Sequence, residues 1–160
     1  MTDFLKSALE TETFIHANQI KTDQGVTWNR IPDGRPTHSL YHGSAGILLF
    51  YIELFNATGD RSYIETAMSA GDDIVAYVEC KVEEQTFISI SFYSGWPGYV
   101  YSLNELYQVT GASKYKRAAV AALHRITAQA SDIGSGIGWI EPIPFSDNTG
   151  VSGEREVIDL

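Results

Sequence analysis

The chain has 160 residues and carries 11 lysines and arginines against 20 aspartates and glutamates, a formal net charge of −9. No apolar run approaches the roughly 18 residues of a membrane span, and scattered basic residues exclude a nucleic-acid partner, because phosphate binding requires clustered lysine and arginine. The single cysteine, Cys80, excludes an internal disulfide, and with no signal-peptide pattern at the start it predicts a cytoplasmic protein.

The first half of the chain predicts three helices. Apolar residues at helical spacing indicate an outer, one-faced helix over residues 3–19. Glycine, proline and aspartate then indicate a loop over 22–36, in which Trp28 should pack over the end of a neighbouring helix. A helix over 43–57 follows, apolar nearly all round and therefore expected to be enclosed. An amphipathic outer helix over about 61–78 should cover it.

The second half predicts the same order of elements. After a connector over 79–90, an inner helix is expected over 95–109 and an outer helix over 114–130. The densest basic group, Lys114-Tyr115-Lys116-Arg117, opens this outer helix and is interpreted as an exposed helix face. The tail over 132–160 is rich in glycine and proline and is predicted to be mainly loop.

An internal repeat connects the two halves. Sliding residues 39–63 onto 91–115, a shift of 52 positions, needs no gap and gives nine identities in 25. A fixed long period indicates a repeat architecture. We therefore predict an all-α fold in one domain, 1–160, as a partial α/α toroid with units at about 38–80 and 90–131. The repeat assigns structural roles in both copies to Gly43, Gly46, Glu53, Gly59, Gly95, Gly98, Glu105 and Gly111.

These motifs resemble a known family. The run Tyr41-His42-Gly43-Ser44-Ala45-Gly46-Ile47, followed by Glu53-Leu54-Phe55 and Thr58-Gly59-Asp60, resembles the repeat of lanthionine synthetase C-like proteins. The run Ser94-Gly95-Trp96-Pro97-Gly98, with Glu105-Leu106-Tyr107, looks like the next copy. The resemblance covers about residues 38–131. It implies an α/α toroid and a cyclase that closes thioether rings in a peptide substrate.

The resemblance also implies zinc, but not in this part of the toroid. In the family two cysteines and a histidine hold a zinc ion, which activates a peptide cysteine for addition to a dehydrated serine or threonine. Those ligands lie in later repeats and include a Cys-His-Gly motif, where this chain has Tyr41-His42-Gly43. Cys80 has no histidine within five residues. We therefore expect no metal and no cofactor here, zinc only with the missing C-terminal repeats, and an N-terminal portion that is inactive alone.

His42 is the best single candidate for catalysis or binding. It precedes an inner helix, whose N-terminus attracts anions and polarised carbonyls. The alternative is a histidine that hydrogen-bonds a neighbouring loop, and the equivalent residue in the second copy is Ser94. Tyr41, Tyr93 and Trp96 should cluster at the same helix ends. They would line a peptide or sugar groove, or else close the end of the barrel by packing.

Other polar residues receive structural interpretations. The helix-opening glycines, such as Gly43, could cradle a phosphate, but a sharp turn and close packing explain them better. Glu53 and Glu105 recur at matched positions, which favours scaffolding over a catalytic pair. Asp72-Asp73 is interpreted as a solvated face, and the remaining histidines have no metal-ligand partner four residues away.

Two further functions stay open. A six-hairpin α/α-barrel glycosidase would need two carboxylates facing one cavity, and Glu141 is the only loop acid suited to that role. A non-catalytic helical-repeat binding module would need neither metal nor carboxylates. In each case a partial ring leaves apolar flanks uncovered, which predicts self-association or pairing with the missing C-terminal repeats.

Overall fold

A computed structural model describes residues 3–29, 34–84, 88–141 and 156–159. The helices of this part are α1 (Asp3–Ala17), α2 (Ser44–Thr58), α3 (Arg61–Glu84), α4 (Trp96–Thr110) and α5 (Ser113–Ala128). The strands are β1 (Ile20–Lys21), β2 (Val26–Thr27), β3 (Ser131–Asp132), β4 (Ile137–Glu141) and β5 (Glu156–Asp159). The protein is mostly helical, as predicted, and α3 extends six residues beyond its expected end.

The helices form two pairs, α2 with α3 and α4 with α5. The pairs pack side by side, with α2 against α4 and α3 against α5. From Ser44 to Phe55 the only exposed residue of α2 is Glu53, so the prediction of an enclosed helix is confirmed. α3 and α5 each bury one side and expose the other, as expected for helices that cover an inner layer.

Left-handed glycines end both inner helices. Gly59 has φ of 74° and Gly111 has φ of 68°, and their amides donate to Phe55 and Tyr107, both at 2.8 Å. Only glycine adopts this conformation without strain, which confirms the predicted ends. The carboxylate of Asp60 then caps α3 by accepting a bond from the Ser62 amide at 2.9 Å.

α5 begins without a side-chain cap, since its N-cap residue, Ala112, makes no side-chain hydrogen bond.

The glycines that open the inner helices are required for space. A Cβ atom at any of them would overlap a carbonyl oxygen of the preceding loop. The pairs are Gly43 with Thr37, Gly46 with Leu40, Gly95 with Ser89, and Gly98 with Phe92. The four carbonyls obey the same 52-residue shift as the glycines. Gly43 and Gly95 have extended backbones (φ −145° and −121°), so close approach, not conformational freedom, explains them.

A hairpin repeats at a longer period, which the sequence prediction missed. β1–β2 and β3–β4 are antiparallel pairs with matching registers, Ile20 opposite Thr27 and Ser131 opposite Gly138. Trp28 directly follows β2, and Trp139 lies at the equivalent position within β4. Each indole N–H donates to a carbonyl at the end of the preceding helix. Trp28 donates to Ile15 at 2.8 Å, and Trp139 donates to Ile126 at 2.7 Å. The shift between them is 111 residues, and it places α1 in register with α5.

The tryptophan bonds confirm the packing role predicted for Trp28. The prediction of loop around both tryptophans is wrong where strands form. β2 lies within the stretch predicted as loop over 22–36, and β3, β4 and β5 lie in or at the edge of the tail predicted as loop-rich. Strands of two residues are too short for alternation of apolar and polar side chains to be visible. Residues 142–155 of that tail lie outside the described part.

Tyr115 joins the second helix pair to the first. Its side chain is fully buried, and its hydroxyl donates to the Met68 carbonyl and to Asp72, each at 3.1 Å. Gly71 leaves room for the tyrosine ring, since a Cβ there would lie 3.1 Å from it. Lys114 forms an ion pair with Asp72. The interpretation of Asp72 as part of a solvated face is therefore wrong.

We predict that Gly43→Ala and Gly95→Ala each destabilise the protein. The new methyl group would overlap a loop carbonyl, so the free energy of unfolding should fall by about 1–3 kcal/mol. Urea unfolding measures the change. Gly136→Ala is the matched control, because that glycine has open space around it and no left-handed backbone. All three variants are measured in dilute protein solution. Unchanged unfolding of both helix variants would contradict the steric explanation.

Candidate functional site

The two glycine turns lie side by side at one end of the helix pairs. The amide of Tyr41, in the first turn, donates to the carbonyl of Tyr93, in the second, at 2.9 Å. Gly98 lies close to Leu40, where a Cβ would be 3.1 Å from the leucine Cβ. The 52-residue repeat therefore brings its two most similar segments together in space.

Exposed aromatic rings concentrate at these turns. Tyr41 is 71% exposed and Tyr93 is 63% exposed. Ring centroids lie 4.4 Å apart for Tyr41 and His42, 5.4 Å for Phe92 and Tyr93, and 5.7 Å for Phe92 and Tyr101. We call Tyr41, His42, Phe92, Tyr93 and Tyr101 the aromatic rim.

A shallow depression adjoins the rim. Its volume is about 330 Å³, and it is lined by Leu40, Tyr41, His42, Gly43, Gly46 and Ile47. The lining has one ionisable imidazole and one phenol, and no carboxylate.

The first amides of both inner helices are already paired. Ser44 donates to Thr37 at 3.0 Å, and Trp96 donates to Ser89 at 3.0 Å. Gly43 and Gly95 likewise donate to loop carbonyls. An anion would have to displace these bonds, so the phosphate-cradle alternative gains no support from the geometry.

The structure brings together some of the predicted site residues and separates others. Tyr41 and His42 line the depression, and Tyr93 lies beside them. Trp96 is only 4% exposed and packs on Tyr99, so it supports the core instead of lining a groove. Glu53 is exposed on α2, and Glu105 is half-buried on α4.

A partly buried polar cluster of Thr22, His38 and Asp73 was missed. The Thr22 hydroxyl donates to one oxygen of Asp73 at 2.7 Å, and His38 Nε2 lies 2.8 Å from the other oxygen. The imidazole stacks on Tyr77 with centroids 4.3 Å apart. Asp73 is 9% exposed, so its assignment to a solvated face is wrong.

The repeat could not have revealed this cluster. At the equivalent positions of the second copy, His38 becomes Ile90 and Asp73 becomes Arg125. The partners are 35 and 51 residues apart, beyond any helical spacing. Helical spacing gives no signal either, because nine residues separate Asp73 from the apolar Ile64, which places the two on opposite sides of α3.

The cluster stabilises three segments against each other. Burial raises the pKa of Asp73, but the hydrogen bonds from His38 and Thr22 outweigh it, and the pKa lies below its ordinary value. The Thr22 hydroxyl bonds the carboxylate and not the imidazole, so the arrangement differs from a nucleophile activated by histidine. It connects the β1–β2 hairpin, the loop before α2 and the middle of α3.

The described residues provide no metal centre. They contain no group of three His, Cys, Asp or Glu side chains placed to hold an ion. Cys80 is exposed on α3, while His42 lies at the start of α2. The zinc ligand set of the resembled family is therefore not matched by the residues present.

Comparisons with protein-family models, with curated proteins and with solved structures found no match to this chain. The resemblance to lanthionine synthetase C-like proteins accordingly stays a prediction from the residues. Within the described ranges, no helix combines the length and the apolar character needed to cross a membrane.

We predict that Asp73→Asn destabilises the protein by about 2 kcal/mol near neutral pH, because it removes hydrogen bonds to a charged group. A lowered folded-state pKa stabilises above the ordinary value of 3.8, and this stabilisation is lost as pH falls through the lowered pKa. The difference from wild type should therefore shrink as the pH falls below about 4.

Urea unfolding over that pH range tests the prediction. Asp23→Asn is the control, because Asp23 is an exposed aspartate in the same hairpin as Thr22. A difference between wild type and Asp73→Asn that stays constant with pH would show that the charge of Asp73 does not matter.

Proposed function

We propose that this chain supplies helix pairs of an α/α toroid of the lanthionine synthetase C-like type, and that the aromatic rim binds a peptide substrate of thioether formation. Three features support the toroid. Enclosed and one-faced helices alternate along the chain. The inner helix α2 packs on the inner helix α4, and the outer helix α3 packs on the outer helix α5. The glycine turns recur at matched positions.

The exposed aromatic cluster carries the peptide proposal. Monomeric proteins bury most large aromatic side chains, and exposed aromatic clusters mark binding surfaces. Flat phenol rings offer apolar faces to peptide side chains, and their hydroxyls can bond to backbone amides. The adjoining depression of about 330 Å³ would take one or two side chains.

In this proposal, catalysis depends on zinc ligands that this chain does not supply. The residues present do not match the zinc ligand set, so we derive no step through a metal. His42, exposed beside the depression, is placed to hydrogen-bond a bound peptide carbonyl. In this proposal the chain binds and positions, and it is inactive alone.

Binding of a fluorescein-labelled peptide rich in serine, threonine and cysteine tests the function. Fluorescence anisotropy should show saturable binding, weakened about tenfold by Tyr41→Ala, because loss of an aromatic contact costs about 1.4 kcal/mol. Val109→Ala is the control, since Val109 is 38% exposed on α4 and lies outside the rim. Absence of binding, or an equal effect of both variants, would overturn the proposal.

The same assay separates the non-catalytic alternatives. An exposed aromatic rim also suits the apolar faces of sugar rings. Saturable binding of a cello-oligosaccharide, lost in Tyr41→Ala and without peptide binding, would favour a carbohydrate-binding module. For the glycosidase alternative, Glu141 lies in β4, where its backbone pairs with Glu156. No described carboxylate lines the depression, so no observation favours that function.

We further propose that the chain alone holds no zinc at one ion per chain. A tight zinc site requires three or four cysteine, histidine or carboxylate ligands in tetrahedral geometry, and the sequence has one cysteine. Elemental analysis after zinc loading and dialysis measures the content. One retained zinc per chain would contradict this proposal without touching the peptide-binding result.

A further inference from the structure

The contact between the two helix pairs defines how one unit receives the next. On α3, Met68, Gly71 and Asp72 surround the side chain of Tyr115 from α5. Lys114 adds an ion pair to the same carboxylate. Each of these residues has an equivalent position elsewhere in the chain. For the residues of α3 it lies 52 positions later, and for those of α5 it lies 111 positions earlier.

The counterparts of the receiving residues are exposed. The 52-residue shift converts Met68, Gly71 and Asp72 into Val120, Leu123 and His124 on α5. Val120 is 43% exposed and Leu123 is 45% exposed. We call Val120, Leu123 and His124 the trailing face. It borders a depression of about 350 Å³ lined by Lys116, Arg117, Val120, Ala121 and His124.

The counterparts of the incoming residues are exposed as well. The 111-residue shift converts the inward stripe of α5, Tyr115, Ala118, Ala122 and Arg125, into Phe4, Ser7, Thr11 and Phe14 on α1. We call these four residues the leading face. Phe4 is 86% exposed and Phe14 is 71% exposed, whereas Tyr115 is fully buried.

The second hairpin repeats the pattern. In the first hairpin Gly25 lies against the Ser69 backbone of α3, Val26 is buried, and Thr22 bonds Asp73. In the second hairpin Gly136 has nothing within 4 Å, and Ile137 is 64% exposed. A surface shaped to receive an outer helix is therefore present on the second hairpin.

We infer that a second copy of this chain docks head to tail, with the leading face of α1 and its flanking residues on the trailing face of α5 and the second hairpin. In this pairing, both residues of each polar contact within the chain are replaced by different residues. The contact of Tyr115 with Met68, Gly71 and Asp72 becomes a contact of Phe4 with Val120, Leu123 and His124. Leu123 fills the space that Gly71 leaves open, so the Phe4 ring lies over its side chain.

One further pair changes on both sides. Thr22 corresponds to Ile133 by the 111-residue shift. Asp73 corresponds to Arg125 by the 52-residue shift, and Arg125 corresponds to Phe14 by the 111-residue shift. The hydrogen-bonded pair of Thr22 and Asp73 is therefore replaced by the apolar pair of Ile133 and Phe14. Changing both partners keeps a contact compatible, whereas changing one would leave a polar group without its partner.

Charge selects this pairing over a symmetric one. α5 contains four lysines and arginines and no acidic residue, although the whole chain has a net charge of −9. α1 contains three acidic residues and one lysine. Two α5 faces would repel each other, whereas α1 and α5 attract. The contact is heterologous, so it leads to a ring or an open chain of copies.

Complementary variants test the inference by sedimentation equilibrium at micromolar concentration. Phe4→Glu blocks only the leading face, and Leu123→Glu blocks only the trailing face. Wild type should self-associate, and each variant alone should associate at least tenfold more weakly. An equimolar mixture should form a 1:1 heterodimer, because one intact face of each kind remains. Asn56→Glu, an equally charged change at an exposed site of α2, should associate as wild type.

Three results would overturn the inference. They are a monomeric wild type, single variants that associate as strongly as wild type, and a mixture that stays monomeric while wild type associates. Far-UV circular dichroism checks that the variants fold, which exposed sites should permit.

Discussion

The packing of one helix pair on the next depends on the joint between Tyr115 and Gly71. Burial raises the pKa of the Tyr115 hydroxyl, and the nearby Asp72 charge raises it further, so the phenol stays protonated and donates. The absence of a side chain at Gly71 admits the ring and Leu106 together. With α5 fixed on α3 in this way, α4 lies against α2. The two glycine turns then come within hydrogen-bonding distance, and the aromatic rim is assembled from both units.

Hydrophobic periodicity and the 52-residue shift were sufficient to predict the helices and their enclosed or one-faced character. Both signals are local or collinear, and α2 and the left-handed Gly59 and Gly111 illustrate how directly they act. Three of the four hairpin strands, β1, β2 and β3, have two residues each and leave no pattern. The recurrence of the hairpins shows in the bonds of Trp28 and Trp139, which share a geometry across 111 residues.

The candidate site was half accessible to sequence reasoning. The motif placed Tyr41, His42 and Tyr93 at helix ends, and repetition implied that these ends are neighbours. Exposure could not be predicted, because Trp96 occupies an equally prominent motif position and is buried. The contact of His38 with Asp73 depends on how the loop before α2 crosses α3, and neither residue recurs in the second unit. Burial and long-range pairing are tertiary properties that no local pattern contains.

The hairpins limit how this repeat could be extended. α1 and α5 are each followed by a hairpin, whereas α3 leads to α4 without one in the described residues. The two units are therefore not interchangeable, because α3 has Asp73 and Ser69 facing a hairpin and α5 has Tyr115 facing α3. An engineer who lengthened this protein by copying the second 52-residue unit would place Arg125 where Asp73 is needed for the hairpin. The smallest segment that can be duplicated with every neighbour preserved is the double unit of 111 residues.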